Sequence, residues 1–558
     1  MEISRPYLAL LMIAGLSAAL FLPVMGRGFI HDDFVHLYSA AYHPLRRGLA
    51  YANGGPFYTP ITWLTFKLDW VLWGKNSFLM ALGNLLLHIG NITLLYAFAL
   101  KLWRSQVAAR WTALGFALLF PANTWAVMWI STRAHLLVTF FYLAAMLATL
   151  WLSRAERHKK LAVVTIVLFA SLAAFSKESG VTAPVAVALT LIYVRRSQWG
   201  KILPLATVIG LFGLLIAALA AYALMRRRSG AIPITFSAND WYSYATSLSV
   251  LFENLFRYGW RTYGLLGIMA SAIAFSQIIR GRRPRLDSLT MNDALLSASL
   301  FATAIAPFIL LRGRSGIYTY LPGIAAALLL GAMARAFTEG RGDEATGRRG
   351  EWEKGAPLSV LLSLSPRRPV APSPGCSLGP SAPRPLGLLE RFADQCRDRP
   401  TCLPRIGYER DHRGRHAGLP LPYTRLQTAL VMAPVLLVIA LYSLFTVVHS
   451  LRWMRMAEIN TFVLNQTAER VIRPEPNTLF ILTYCEEDNV NGFPDSLAYG
   501  FSCALRVLYA DPTLSGSIGR QGESRYTDGQ SAVIRLAYIH SGDGAPRLVI
   551  GSDESCVF

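Results

Sequence analysis

The chain has 558 residues, of which 53% are hydrophobic and only 16% charged. Soluble proteins average about 25% charged residues. A mean hydropathy of +0.37, with the apolar residues gathered in long blocks, therefore excludes a soluble domain or a string of them. It points to a polytopic α-helical membrane protein. The net charge is +21, from 54 Lys and Arg against 33 Asp and Glu. In a membrane chain that excess reads as basic cytoplasmic loops. No RNA-binding motif or basic–aromatic stripe points to a nucleic-acid partner.

Apolar runs long enough to span a bilayer are expected at 7–25, 78–100, 111–130, 135–153, 161–175, 180–194, 202–225, 263–279, 293–311, 317–336 and 428–449. That makes eleven. The N-terminus, Met1–Arg5 ahead of an apolar run from Tyr7, has no convincing small-residue cleavage site and reads as a retained first span. Basic residues cluster in alternate short loops: Lys101, Arg104 and Arg110; Arg154, Arg157, Lys159 and Lys160; Arg195, Arg196 and Lys201; Arg280, Arg282, Arg283 and Arg285. The positive-inside rule puts these in the cytoplasm. The loop 26–77 and the C-terminus are then external, and Arg226, Arg227 and Arg228 are a local violation.

Four regions follow: a transmembrane domain over 1–336 with the external loop 26–77, an insertion at 337–426, a last span at 427–450, and an extracytoplasmic α+β domain over 451–558. The insertion holds twelve of the 30 prolines and many arginines with no long periodic run, so it reads as disordered. Its Cys376, Cys396 and Cys402 read as unpaired thiols. With six cysteines in all, none before residue 376, and no metal-ligand spacing, neither a disulfide framework nor a structural zinc site is expected. In the last region Thr478–Cys485, Ala532–His540 and Arg547–Ile550 read as strands. Ser541–Pro546 reads as a turn, and Ser496–Tyr509 as a helix or a long strand. Asn465-Gln466-Thr467 is a glycosylation sequon.

The polar residues near the membrane gather on the external side. His31, Asp32 and Asp33 follow the first span. Arg133 and His135 sit where the third span meets the fourth. Lys177 and Glu178 lie between the fifth and sixth, and Arg312 and Arg314 follow the ninth; Asn84, His88 and Asn91 lie within the second. Ionisable groups at membrane depth are costly and tend to be functional, so a convergent set marks an external-facing site. Asp32 and Asp33 can supply a general base or simply cap the following helix. Adjacent acids cannot flank a bond from two sides, so one acts and the other supports it. Arg133, Lys177 and Arg314 can meet a phosphate; the bland alternatives are a Lys177–Glu178 pair and arginines snorkelling to headgroups. His88 is read first as an interhelical hydrogen-bonding residue. The aromatics of the 42–77 loop suggest an interfacial helix over a lipid-facing cleft.

Several short pieces occur in a telling order. They are His31-Asp32-Asp33; Thr59-Pro60-Ile61-Thr62 with Gly74; Asn84-Leu85-Leu86-Leu87-His88; Trp129 through Arg133 to His135-Leu136-Leu137; Ser176-Lys177-Glu178; and Arg314 with Tyr318-Thr319-Tyr320-Leu321-Pro322. In these the chain resembles the GT-C superfamily of polytopic glycosyltransferases, especially the protein O-mannosyltransferase-like branch with the TPR-containing mannosyltransferases, though it carries no TPR array. The resemblance spans about residues 7–336. It implies an inverting transfer from a polyprenyl-phosphate sugar to an acceptor hydroxyl of a protein, glycan or lipid, on the external face of a bacterial inner membrane. It implies Asp32 as the catalytic acid with Asp33 in reserve, and donor-phosphate contacts from Arg133, Lys177 and Arg314. His31, His88, His135, Glu178 and Arg312 are supporting. No cofactor is required by the pattern, and a divalent metal stays open. The competing classes are a transporter or lipid flippase, for which repeats and broken helices in matching halves are missing, and a non-enzymatic envelope assembly protein.

Overall fold

The computed structural model describes residues 5–50, 58–154, 158–194, 248–279, 291–309, 315–339, 425–484, 497, 500–520, 532–539 and 546–550. The chain divides into two compact units. One joins Met1–Arg341 to Gln427–Phe558; the other, Gly342–Leu426, lies almost wholly outside the described residues.

The first unit is mostly helical. In chain order its helices are α1 (Arg5–Phe21), α2 (Asp33–Tyr42), α3 (Leu45–Ala50), α4 (Pro60–Trp73), α5 (Ser77–Trp103), α6 (Gln106–Ala117), α7 (Ala122–Met128), α8 (Arg133–Arg154), α9 (Lys159–Ser176), α10 (Ala183–Val194), α11 (Leu248–Ile279), α12 (Met291–Ile309), α13 (Gly323–Glu339) and α14 (Arg425–Arg470). Ten of the eleven stretches expected as spans overlap these helices, the one at 111–130 covering parts of both α6 and α7; the stretch 202–225 lies outside the described residues. Among the described residues five stretches are long and apolar enough to cross a bilayer: Ser77–Trp103, Ile130–Ser153, Lys159–Ser176, Met291–Ile309 and Leu436–Arg470. The pair α6–α7, bent by 66°, makes a sixth if taken as one. The bend falls at Pro121, which has no N–H to continue the ladder. Three further apolar helices, Leu8–Val24, Glu178–Val194 and Gly323–Thr338, are shorter.

The core lies between these helices. Tyr142, Tyr258, Tyr320, Tyr442, Phe98 and Phe116 are its largest fully buried side chains. Alanines bring α6 and α13 together: Ala108, Ala109 and Ala113 on one, Ala326, Ala327 and Ala334 on the other, all buried. Small residues allow the close approach that membrane helices rely on for packing.

Two expectations about the C-terminal region change. The helix expected to end at 449 runs on to Arg470, 46 residues in all, so the region after 450 begins inside a helix. Beyond it, β1 (Thr478–Tyr484), β2 (Ser515–Arg520), β3 (Ala532–Ile539) and β4 (Arg547–Ile550) form one sheet in the order β2-β1-β3-β4, with α15 (Phe501–Tyr509) between β1 and β2. β1 pairs in parallel with both β2 and β3, and only β4 is antiparallel. The expected α+β module is thus built on a β–α–β crossover. Long connections carrying a helix return a strand in parallel, whereas the short β3–β4 link allows a hairpin.

Candidate functional site

The two acids after the first span have different surroundings. Asp33 opens α2 and is 3% exposed. Its Oδ2 accepts the Ile30 N–H at 3.1 Å and its Oδ1 accepts the Ser131 N–H at 2.6 Å. The second bond ties α2 to the turn that starts α8. Burial pushes the Asp33 carboxyl up to about 7, against the pull of those two N–H donors. Asp32, the residue before it, is half-buried and makes no side-chain bond to the first turn of α2. Burial alone raises its carboxyl. Asp33 is thus engaged in holding backbone, while Asp32 has no such bond among the described residues.

Arg133 sits at the start of α8 and is 2% exposed. Nε donates to Asn84 Oδ1 at 2.8 Å, one terminal nitrogen to Asp69 Oδ2 at 2.5 Å, and the other to the Met80 carbonyl at 2.7 Å. The guanidinium also lies 4.6 Å from the Phe66 ring centroid. Its planar fork therefore clamps α4, α5 and α8 together. Asn84 completes the joint by donating to the carbonyls of Ala126, Trp129 and Ile130, each at 3.3 Å. Of Arg133's partners, Asp69 was not singled out in the sequence. Only the fold brings its cation to it.

Lys177 follows α9 in extended backbone, 3.6 Å from Glu178, with both side chains mostly buried. The turn is held to α4 by Thr62, whose hydroxyl donates to the Ser176 carbonyl at 2.7 Å. His36 of α2 is a second residue the sequence reading passed over. It stacks on Phe66 at 4.6 Å, and its Nδ1 is buried with no hydrogen-bond partner among the described residues. Burial, with the charges of Arg133 and Lys177 nearby, holds His36 down to about 4. Asp32, Asp33, Arg133 and Lys177 thus share one locus around α2 and α4. His135, also buried, stacks instead between Phe308 and Tyr318.

His88 belongs to a different network, deeper along α5. Asn84, His88 and Asn91 recur every three or four residues and so share one face. His88 Nδ1 is 2.8 Å from the Tyr320 hydroxyl, and Asn91 donates to that oxygen at 3.2 Å and to the Leu136 carbonyl at 3.1 Å. Arg312 and Arg314 lie outside the described residues. His31 packs against Trp129 and Trp453. Among the described residues, no three His, Cys, Asp or Glu side chains gather as a metal site would require.

The C-terminal region closes over this locus. Tyr42 donates to the Arg506 carbonyl at 3.2 Å and Lys75 to the Val507 carbonyl at 3.0 Å. Phe34 is buried in one cluster with Phe480, Phe501 and Leu505. The sheet domain and the Asp32–Asp33 turn therefore lie on the same side of the helical bundle.

No protein-family model matches the chain, and no curated protein does either. Solved structures share its trace loosely. ArnT from Cupriavidus metallidurans in its apo state is 14% identical, with a TM-score of 0.41, over 58% of this chain and 59% of that one. The same protein bound to undecaprenyl phosphate is 12% identical, with a TM-score of 0.49, over 96% of this chain and 94% of that one. The archaeal oligosaccharyltransferase AglB from Archaeoglobus fulgidus, in complex with an inhibitory peptide and a dolichol-phosphate, is 10% identical, with a TM-score of 0.44, over 92% of this chain and 64% of that one. Against apo ArnT and AglB the match spans less than two thirds of the neighbour's length.

Proposed function

We propose that the chain is an inverting membrane glycosyltransferase of the GT-C kind. In this reading it crosses a bacterial inner membrane eleven times. It moves a sugar from a polyprenyl-phosphate donor to an acceptor hydroxyl on the extracytoplasmic face. The observation that carries the reading is the division of labour between neighbouring acids: Asp33 is locked onto the Ile30 and Ser131 N–H groups, and Asp32 beside it makes no capping bond to α2.

A hydroxyl is a poor nucleophile until its proton is taken. Asp32 does this as the hydroxyl oxygen attacks the anomeric carbon. Its raised carboxyl makes it a better base than a solvated aspartate. The bond to the phosphate oxygen breaks as the new glycosidic bond forms, and the electron pair leaves with the phosphate. Cationic groups stabilise the charge that grows there. Lys177 and Arg314 are the contacts we assign to that phosphate. Arg133, whose donors already serve Asp69, Asn84 and Met80, acts by fixing the floor of the site. A lipid donor also accounts for a catalytic locus built at the end of a bundle of apolar helices, since its tail can stay in the bilayer.

The test uses the purified full chain in lipid nanodiscs with radiolabelled undecaprenyl-phosphate mannose, glucose and galactose, and a membrane extract as the source of acceptors. Transfer from at least one donor, lost on Asp32→Asn, is expected. Transfer at near wild-type rate by Asp32→Asn would sink the assignment. Asp33→Asn is the companion control.

A further inference from the structure

The turn that carries Asp32 is held from two sides, and one of them is the distant helix α14. Residues 27–33 run along it. Asn460 Nδ2 donates to the Phe29 carbonyl at 3.1 Å, and Thr461 Oγ1 to the Arg27 carbonyl at 3.4 Å. Gly28, with φ +143°, comes so close that a Cβ there would lie 2.4 Å from Thr461 Oγ1 and 2.8 Å from the Ala457 carbonyl oxygen. Ile30 is buried with Trp453, Met456 and Ala457.

His31 then turns the chain with φ +46°. A side chain other than glycine keeps that backbone only where its surroundings hold it. What holds it is aromatic. The imidazole packs at 5.3 Å from Trp129 and 6.1 Å from Trp453. Trp453 itself packs at 5.0 Å from Trp125 and 5.6 Å from Trp129. On the other flank Asp33 is pinned to Ser131, two residues beyond Trp129. Among the described residues Asp32 makes no bond that would place its carboxylate, so His31 and Asp33 on either side set its position.

We propose that Trp453 of α14 is a positioning residue for Asp32, and that the site is incomplete without this C-terminal helix. This rests on the reading of Asp32 as the reacting acid. Trp453 acts through His31. It braces His31 against Trp129, so that the left-handed turn presents the Asp32 carboxylate in one direction.

The experiment compares Trp453→Ala, Trp453→Phe and wild type, each as the full chain in nanodiscs. Hydrogen exchange is read on peptides covering residues 27–36, and transfer is read with whichever undecaprenyl-phosphate hexose wild type uses. For Trp453→Ala we expect exchange in 27–36 to speed up at least tenfold with α5 and α8 unchanged. We expect kcat to fall at least tenfold with the donor KM held within threefold. Trp453→Phe keeps a ring and should restore most of both. Exchange within twofold of wild type in Trp453→Ala, or a raised KM with kcat retained, overturns the proposal. If Trp453→Ala does not yield folded protein, Asn460→Ala, which removes the bond to Phe29, carries the same two readouts and the same criteria. Asp32→Asn separates the two claims. If it retains transfer while Trp453→Ala loosens the turn, the catalytic reading fails and the brace stands. If it is inactive while Trp453→Ala leaves exchange unchanged, the brace alone fails.

Discussion

Replacing each of the two neighbouring acids by its amide separates their roles by stability as well as by rate. Asparagine keeps the shape of Asp33 but offers one acceptor oxygen where Asp33 uses two, at 2.6 Å to Ser131 and 3.1 Å to Ile30. The amide NH2 must then face a backbone N–H. One charge-assisted bond, about 1.5–3 kcal/mol, is lost, and one buried donor is left without a partner at about 1–3 kcal/mol more. Burial already holds the Asp33 carboxyl up to about 7. Ionising so buried a carboxyl carries a desolvation cost that the amide escapes, which trims the net cost to about 2–4 kcal/mol at neutral pH. Asp32 has no such bonds to lose, so Asp32→Asn should alter stability by no more than about 0.5 kcal/mol. Its effect should fall on transfer, by about 100-fold or more. The assay is thermal unfolding of the purified full chain at pH 7, followed by intrinsic fluorescence, alongside transfer by the same preparations. Asp33→Asn with the unfolding temperature of wild type would refute the reasoning about the locked acid. So would Asp32→Asn with a large drop in that temperature.

The other predictions use the same preparation. Asp69→Ala leaves the Arg133 charge buried without its partner. Removing one member of a buried pair costs about 3–5 kcal/mol, and with Asp69 15% exposed the lower part of that range should appear in unfolding. The Asp33 value lies above its unfolded value of 3.8. Its contribution to stability is therefore full below about pH 4 and lost as pH rises through 7; the stability advantage of wild type over Asp33→Asn should shrink over that window. His36 runs the other way. Held down to about 4 from 6.5, it remains neutral near pH 7, and folding stability should fall as pH drops from 6.5 toward 4. Imidazole NMR titration that finds His36 protonated at pH 6 would contradict this. In Gly500→Ala the new Cβ would lie 2.6 Å from the His31 carbonyl oxygen, so exchange over α2 should quicken while the deep bundle is unaffected.

Much of this site was legible because it is local. His31-Asp32-Asp33, Arg133 and Lys177 stand out as charges where apolar runs end, and chemistry at membrane depth is conspicuous against such a background. Contacts between segments far apart in sequence were not legible. Asp69 and His36 acquire meaning only when α4 and α2 fold against α8. Trp453 reads in sequence like any interfacial tryptophan, since nothing in α14 announces the His31 turn more than 400 residues earlier. The same limit hid β2. Its Ser515–Arg520 stretch, rich in glycine and serine, has weak strand preference and takes its conformation from pairing with β1.

The length of α14 bears on where the proposed reaction can take place. At about 1.5 Å per residue its 46 residues span about 69 Å, more than twice the roughly 30 Å of hydrocarbon in a bilayer. A loop at the membrane surface would let an outer domain rise, tilt and fall. An unbroken rod that is both anchored in lipid and packed against the Asp32 turn acts as a gauge. In the proposed reading it sets how far above the acyl chains the Asp32 carboxylate stands, and so which bond of a lipid-borne donor comes within its reach.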